Sequence, residues 1–265
     1  MRKLRFAALA AVMMSAAVSC MNEIDDFGSD VSIDGEVVFT ASVPGAETKA
    51  VLDGNKSWWQ NGDKITVHNG TKGFEFVTSL SENAQKADFS YGGTDFTATD
   101  DGVIAVYPAG LVTSADIAKK TINASVPASQ RATAGSYDKD AALAVAFSQT
   151  DKLQFRNAVA LVKFTVTVPN VKGAVFTGNN GEPVAGNVQV VLNEDNSIGG
   201  VTVLPTSVDG AEPALCTEVG LYAEGDGFLT PGATYYIAVA PMTFTKGFAL
   251  DLVVDGERHR VKNID

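Results

Sequence analysis

From residue 36 onward, apolar and polar side chains alternate with a period of two. Over residues 36–43, Val37, Phe39, Ala41 and Val43 share one face and Val38, Thr40 and Ser42 the other. That is the pattern of a half-buried β-strand. The same pattern predicts short strands over 64–68, 73–78, 87–91, 102–107, 121–126 and 141–147. The longest apolar stretch spans 153–168, where Phe155, Ala158, Val159, Leu161, Val162, Phe164 and Val166 make a nearly continuous apolar run. It reads as one long strand, either buried on both faces or bulged near Asn157. Asp53-Gly54-Asn55, Asn61-Gly62-Asp63, Gly92-Gly93 and Asp100-Asp101-Gly102 separate these runs. Such residues accept the positive φ of tight turns. Residues 114–119 read as one short helical turn.

Pro169-Asn170 ends the long run and marks a domain boundary. Beyond it, strands are predicted over 174–177, 184–192, 200–204, 218–223, 233–240 and 248–254. Short strands at regular spacing, frequent turn residues and almost no helical period predict an all-β chain of two stacked sandwiches. The expected domains are 36–168 and 169–265, the second closing on a charged tail after Gly256.

The first 19 residues follow different rules. Arg2, Lys3 and Arg5 precede an apolar run over 6–18, and small residues lead to Cys20. This is the layout of a secretory signal peptide, and the run is shorter than the roughly 20 residues that span a bilayer. Ala17-Val18-Ser19 before Cys20 resembles a bacterial lipobox, which implies cleavage before Cys20 and a diacylglycerol on its sulfur. An ordinary signal peptide cut nearby is the alternative. Residues 20–35, with Asn22, Glu23, Asp25 and Asp26, read as an acidic, solvated tether. Loss of residues 1–19 removes three cations and no anions, taking the net charge from −11 to −14. A surface that acidic disfavours nucleic acid and anionic lipid as partners. The only cysteine besides Cys20 is Cys216, so an acylated Cys20 leaves no intramolecular disulfide.

Reactive groups do not cluster in the sequence. The two histidines, His68 and His259, fall in different predicted domains, and Cys216 has no nearby histidine. No metalloprotease helix motif, nucleophile elbow, phosphate-cradling glycine loop or paired-cysteine motif is present. The expectation is a protein without catalytic residues, metal or cofactor. Asn193, Asp195, Asn196 and Ser197 collect oxygens in one loop but lack the spaced aspartates and closing glutamate of a calcium site, so a polar hairpin turn is expected. Trp58 and Trp59 are neighbours on a predicted extended segment. One indole is expected in the core and the other at the surface, where it would be available to stack on a sugar.

Several motifs together resemble the fimbrillin family of lipoproteins. In the first half these are Thr48-Lys49-Ala50, Trp58 or Trp59 with Gly62-Asp63-Lys64-Ile65-Thr66-Val67, and Val106-Tyr107-Pro108. Pro127-Ala128-Ser129-Gln130 with Tyr137-Asp138, and Phe155-Arg156-Asn157-Ala158-Val159-Ala160, continue the pattern. Tyr235-Tyr236-Ile237-Ala238-Val239-Ala240-Pro241 and Gly247-Phe248 are similar to the family's C-terminal domain. The resemblance implies two tandem transthyretin-like, Greek-key β-sandwiches and a structural, anchoring or tip subunit of a type V pilus involved in cell adhesion, at the outer membrane. Its implied partners are other fimbrial subunits, the membrane through the lipid, and a surface glycan or protein. It further implies that a trypsin-like protease cuts between Lys49 and Ala50, where arginine is the commoner residue, and removes the first strand. A strand of the next subunit would then fill the groove. Family members usually carry further strands after the position of Asp265, so the resemblance implies an incomplete second sandwich.

Overall fold

The computed structural model describes residues 37–43, 58–207 and 212–264. The chain is all-β, with two three-residue 3-10 turns as the helical segments among the described residues. The first strands are β1 (Val37–Ser42), β2 (Lys64–His68), β3 (Gly73–Thr78), β4 (Lys86–Tyr91) and β5 (Val103–Tyr107). β6 (Val112–Asp116), β7 (Thr121–Val126), β8 (Ser129–Arg131) and β9 (Ala144–Ser148) follow. Then come β10 (Lys152–Gln154), β11 (Arg156–Asn157) and β12 (Ala160–Thr165). The remainder holds β13 (Val171–Gly178), β14 (Gly186–Leu192), β15 (Ile198–Val203) and β16 (Glu218–Tyr222). β17 (Thr234–Val239), β18 (Phe248–Val254) and β19 (Glu257–Ile264) complete the set.

The first sheet runs β10-β1-β4-β3-β2-β5-β9-β11. Its two end strands, β10 and β11, are consecutive pieces of one segment, separated only by Phe155. β10 pairs with β1 in parallel and β11 pairs with β9 antiparallel, so residues 152–157 join the ends and the sheet closes on itself. Closure removes the exposed edges that would template unwanted pairing. The enclosed core is aromatic: Phe39, Trp59, Phe74, Phe76, Phe89, Phe96 and Phe155 are buried together. Phe39 meets Phe76 and Phe96 edge-on at 5.3 and 5.8 Å, the geometry that the ring quadrupole favours. Ala41, Ala87, Ala105, Ala144 and Ala146 line the same interior and leave room for those rings.

β5 and β9 are covered on both faces. Val103, Ala105, Ala144 and Ala146 face the aromatic core, while Ile104, Val106 and Val145 belong to a second, mainly aliphatic core. The unbroken apolar sequence of Val103-Ile104-Ala105-Val106 follows from this double burial. The second core is built from β7 and β14 of one sheet (β15-β14-β7-β6) and from β13, β16 and β18 of another (β19-β18-β13-β16-β8). β12 and β17 form a separate pair that also packs on it.

Three expectations need correction. Residues 153–168 do not form one long strand: the segment closes the first sheet as β10 and β11, turns inward at Ala158, and pairs with β17 as β12. Its apolar run reflects three successive environments. Hydrogen bonding also does not part at Pro169, because β7 pairs with β14 and β8 with β16 across it. Residues 114–119 are the end of β6 and a turn, not a helical turn.

The tail after Gly256 is likewise a strand. Asp255 (φ 51°) and Gly256 (φ 83°) both take the left-handed conformation, as in a tight two-residue hairpin turn, and β19 runs back along β18. Arg260 reaches the buried Asp251 with two hydrogen bonds of 2.5 and 3.2 Å, and Arg258 grips Glu218 at 2.9 and 3.0 Å.

Gln130 links two sheets. Its buried amide receives the N–H of Ala238 at 2.9 Å and donates to the Ala238 and Pro127 carbonyls at 2.6 and 3.0 Å. It therefore acts as a one-residue strand against the side of β17 that faces away from β12. Gln130→Leu is expected to cost about 2–4 kcal/mol, because two buried backbone groups lose their partner. Urea unfolding measures this, and a change under ~0.5 kcal/mol would show that water replaces the amide at no cost.

Candidate functional site

β1 occupies the middle of the closed sheet, not an edge. It pairs with β4 over Val37↔Tyr91 to Ser42↔Lys86 and with β10 over Thr40↔Lys152 to Ser42↔Gln154. Phe39 is 1% exposed, and Ala41 and Val43 are buried with it. On the outer face Thr40 donates to Asp88 at 2.8 Å. The slot that β1 fills is thus defined in direction and register. An occupying strand must run antiparallel to β4 and parallel to β10, with apolar side chains at every second position. Lys49 and Ala50, the expected processing site, and Cys20, the expected lipidation site, lie outside the described residues.

The two tryptophans separate as adjacent extended residues should. Trp59 is 2% exposed and packs edge-on against Phe89, Tyr107 and Phe155. Its indole N–H donates to the Ala41 carbonyl at 3.0 Å, so it belongs to the wall of the β1 slot. This corrects its standing as a sugar-stacking residue, since Phe89, Tyr107 and Phe155 pack around the ring and leave no face open for a sugar to stack on. Trp58 is 46% exposed and keeps that candidacy.

Trp58 stands over a pocket of about 350 Å³. Trp59, Asp63, Tyr107, Ala142 and Ala144 line its interior, and a connection over residues 131–140 forms one side. Asp63 is buried and receives the Gln60 backbone N–H at 2.8 Å, with the Tyr107 hydroxyl and Lys139 ammonium each at 3.4 Å. Burial, assisted by the Asp63 charge, pushes the Tyr107 phenol far above its ordinary range, so it remains a hydroxyl donor. Asp138 caps the 3-10 turn behind it, accepting from the backbone of Arg131 and Asp140. Asn83 and Asn157 line the same pocket, are exposed, and make no side-chain hydrogen bond among the described residues.

Around Asp195, Ser197 donates both its N–H and its hydroxyl to the carboxylate, and Asn193 bonds Ser197 at both ends, so the loop is a self-satisfied hairpin turn. His68 lies on β2 and His259 on β19, in different sheets. Cys216 is half-buried and donates to the Glu218 carbonyl.

His68 Nε2 is buried without a hydrogen-bond partner among the described residues, and burial lowers its pKa from the ordinary 6.5. As pH falls below 6.5 the unfolded chain takes up a proton that the folded chain refuses, so His68 makes stability fall with pH. Replacing His68 with Phe is expected to flatten the rise in stability between pH 5 and pH 7, read from urea midpoints at each pH. An unchanged slope would place the proton uptake elsewhere.

No protein-family model matches the chain, and no curated protein matches it. Two solved structures, each named "putative cell adhesion protein", are similar to it. One, from Bacteroides uniformis, is 16% identical with a TM-score of 0.46, the match covering 86% of this chain and 85% of that one. The other, from Bacteroides ovatus, is 12% identical with a TM-score of 0.39, over 77% of this chain and 76% of that one.

Proposed function

We propose that the protein is an exported, lipid-anchored surface subunit of fimbrillin type, without catalytic activity, that assembles by exchanging its first strand. The observation that carries this reading is the setting of β1. It is a six-residue strand, hydrogen-bonded on both sides and buried on one face, that lies before Lys49-Ala50 in the sequence. A cut there makes it a separable piece that fills a preformed slot, which is the requirement for β-augmentation by a second chain. The lipobox-like signal and the acidic tether fit delivery to the outer face of an outer membrane. In this reading the partners are other fimbrial subunits and the membrane, and the working surface is a groove.

Lys49→Ala tests the reading. The variant is expected to stay an uncleaved, lipid-held monomer, whereas the unaltered protein gives ladders of stable oligomers on gels after trypsin-like treatment. Ladders from the variant equal to those of the parent would remove Lys49 as the cleavage site. A non-polymerising lipoprotein that binds glycans is the alternative, and its aromatic support now rests on Trp58.

A further inference from the structure

We propose that the pocket under Trp58 is a binding site for a neutral saccharide, with the exposed indole as platform and the side chains of Asn83, Asn157 and Asp140 as hydrogen-bonding partners. The Asp63 carboxylate is held by a backbone N–H, a phenol and an ammonium, and the Asp138 carboxylate by two backbone N–H groups. Asp63 is thus paired with a cation, while Asp138 keeps its negative charge and is held in place as a turn cap. Against them stand Lys139, already turned to Asp63, and Arg131. The lining therefore carries no surplus of positive charge that would select a phosphate or a carboxylate ligand.

The groups with unused capacity are of another kind. Asn83 and Asn157 each offer a donor and an acceptor in one plane, and Asp140 offers acceptors, its carboxylate making no hydrogen bond or ion pair among the described residues. A purely apolar ligand would bury these groups unsatisfied, at about 1–3 kcal/mol apiece. A polyol with hydroxyls on its rim satisfies them, and the C–H face of a pyranose ring covers the indole that the protein leaves open. A volume of about 350 Å³ falls within the range of small-molecule sites. The assignment is made for the uncleaved chain, in which β1 holds Trp59 in the pocket wall through the Ala41 carbonyl, and it does not require strand exchange.

The sequence contains two tryptophans, and Trp59 is buried, so acrylamide quenching of fluorescence in the full-length protein reports chiefly on Trp58. Cellohexaose, maltohexaose, mannohexaose, xylohexaose and laminarihexaose serve as probes, with affinity read by calorimetry. At least one is expected to shield Trp58 from the quencher. Trp58→Ala should weaken that sugar by about tenfold or more, Trp58→Tyr should retain most of the affinity, and Asn157→Ala should weaken it less than the loss of the ring. Thermal unfolding of each variant, expected to match the parent because Trp58 is exposed, separates lost binding from lost fold. No binding by any of the five sugars, or binding that survives Trp58→Ala, overturns the proposal. Oligomer ladders from cleaved Trp58→Ala protein are expected to be unchanged, so failure of the sugar site and failure of strand exchange give different results.

Discussion

Cutting the chain after Lys49 and extracting β1 under mild denaturant is expected to turn a stable monomer into a species that either captures another strand or aggregates. Removal takes Phe39, Ala41 and Val43 from a closed aromatic core. Loss of a buried phenylalanine side chain alone costs about 3–5 kcal/mol, and the smaller residues add to that. The backbone loss is as serious: β4 and β10 are each left with an unpaired side, and the indole N–H of Trp59 loses the Ala41 carbonyl. Stability of a domain is typically about 5–15 kcal/mol, so the emptied slot cannot simply persist. A synthetic peptide of residues 36–43, added in excess, should restore the monomer and suppress ladders. The same peptide with Phe39→Asp should not, because a carboxylate would have to sit between Phe76 and Phe96. Analytical ultracentrifugation separates these outcomes, and equal rescue by both peptides would show that the slot does not read side chains.

The second large effect is expected from Trp59→Ala, set against Trp58→Ala. Trp59 is among the largest fully buried side chains and touches three other rings. Its truncation leaves a cavity and an unpaired Ala41 carbonyl, at about 3–5 kcal/mol for the ring and ~1 kcal/mol or more for the lost bond. At roughly 2–4 °C per kcal/mol for a chain of this size, the melting temperature should fall by about 10 °C or more. Trp58→Ala should shift it by no more than a degree or two, as an exposed substitution within ±0.5 kcal/mol does. Equal shifts in the two variants would mean that the neighbours share one environment, contrary to their opposite burial.

Much of this arrangement was legible in the alternation of side chains. β2, β3, β7 and β18 lie where period two places them, because each buries one face or is bounded by a clear turn. The division of labour between Trp58 and Trp59 was legible too, though not which of them turns inward. That depends on register with Ala84, to which Trp59 is bridged, and register is a property of the folded sheet. β19 escaped the pattern despite the Asp255-Gly256 turn signal ahead of it. Its residues Glu257-Arg258-His259-Arg260 are charged or polar because it is an edge strand, and its arginines are satisfied by Glu218 and Asp251 on other strands. The run from 153 to 168 misled for the opposite reason. Apolar residues that serve a sheet closure, a core corner and a second sheet look alike in sequence, although their partners lie far apart along the chain. The pocket under Trp58 was not visible at all, since Asn83, Tyr107, Asp140 and Asn157 come from separate connections and strands.

The N-terminus of the assembled form on the cell surface tests the central claim most directly. Surface-labelled oligomers from intact cells, excised from gels and read by mass spectrometry, are expected to begin at Ala50 and to lack β1. Oligomers whose chains retain Phe39 behind an acylated Cys20 would contradict the account, because the slot would then still hold its own strand.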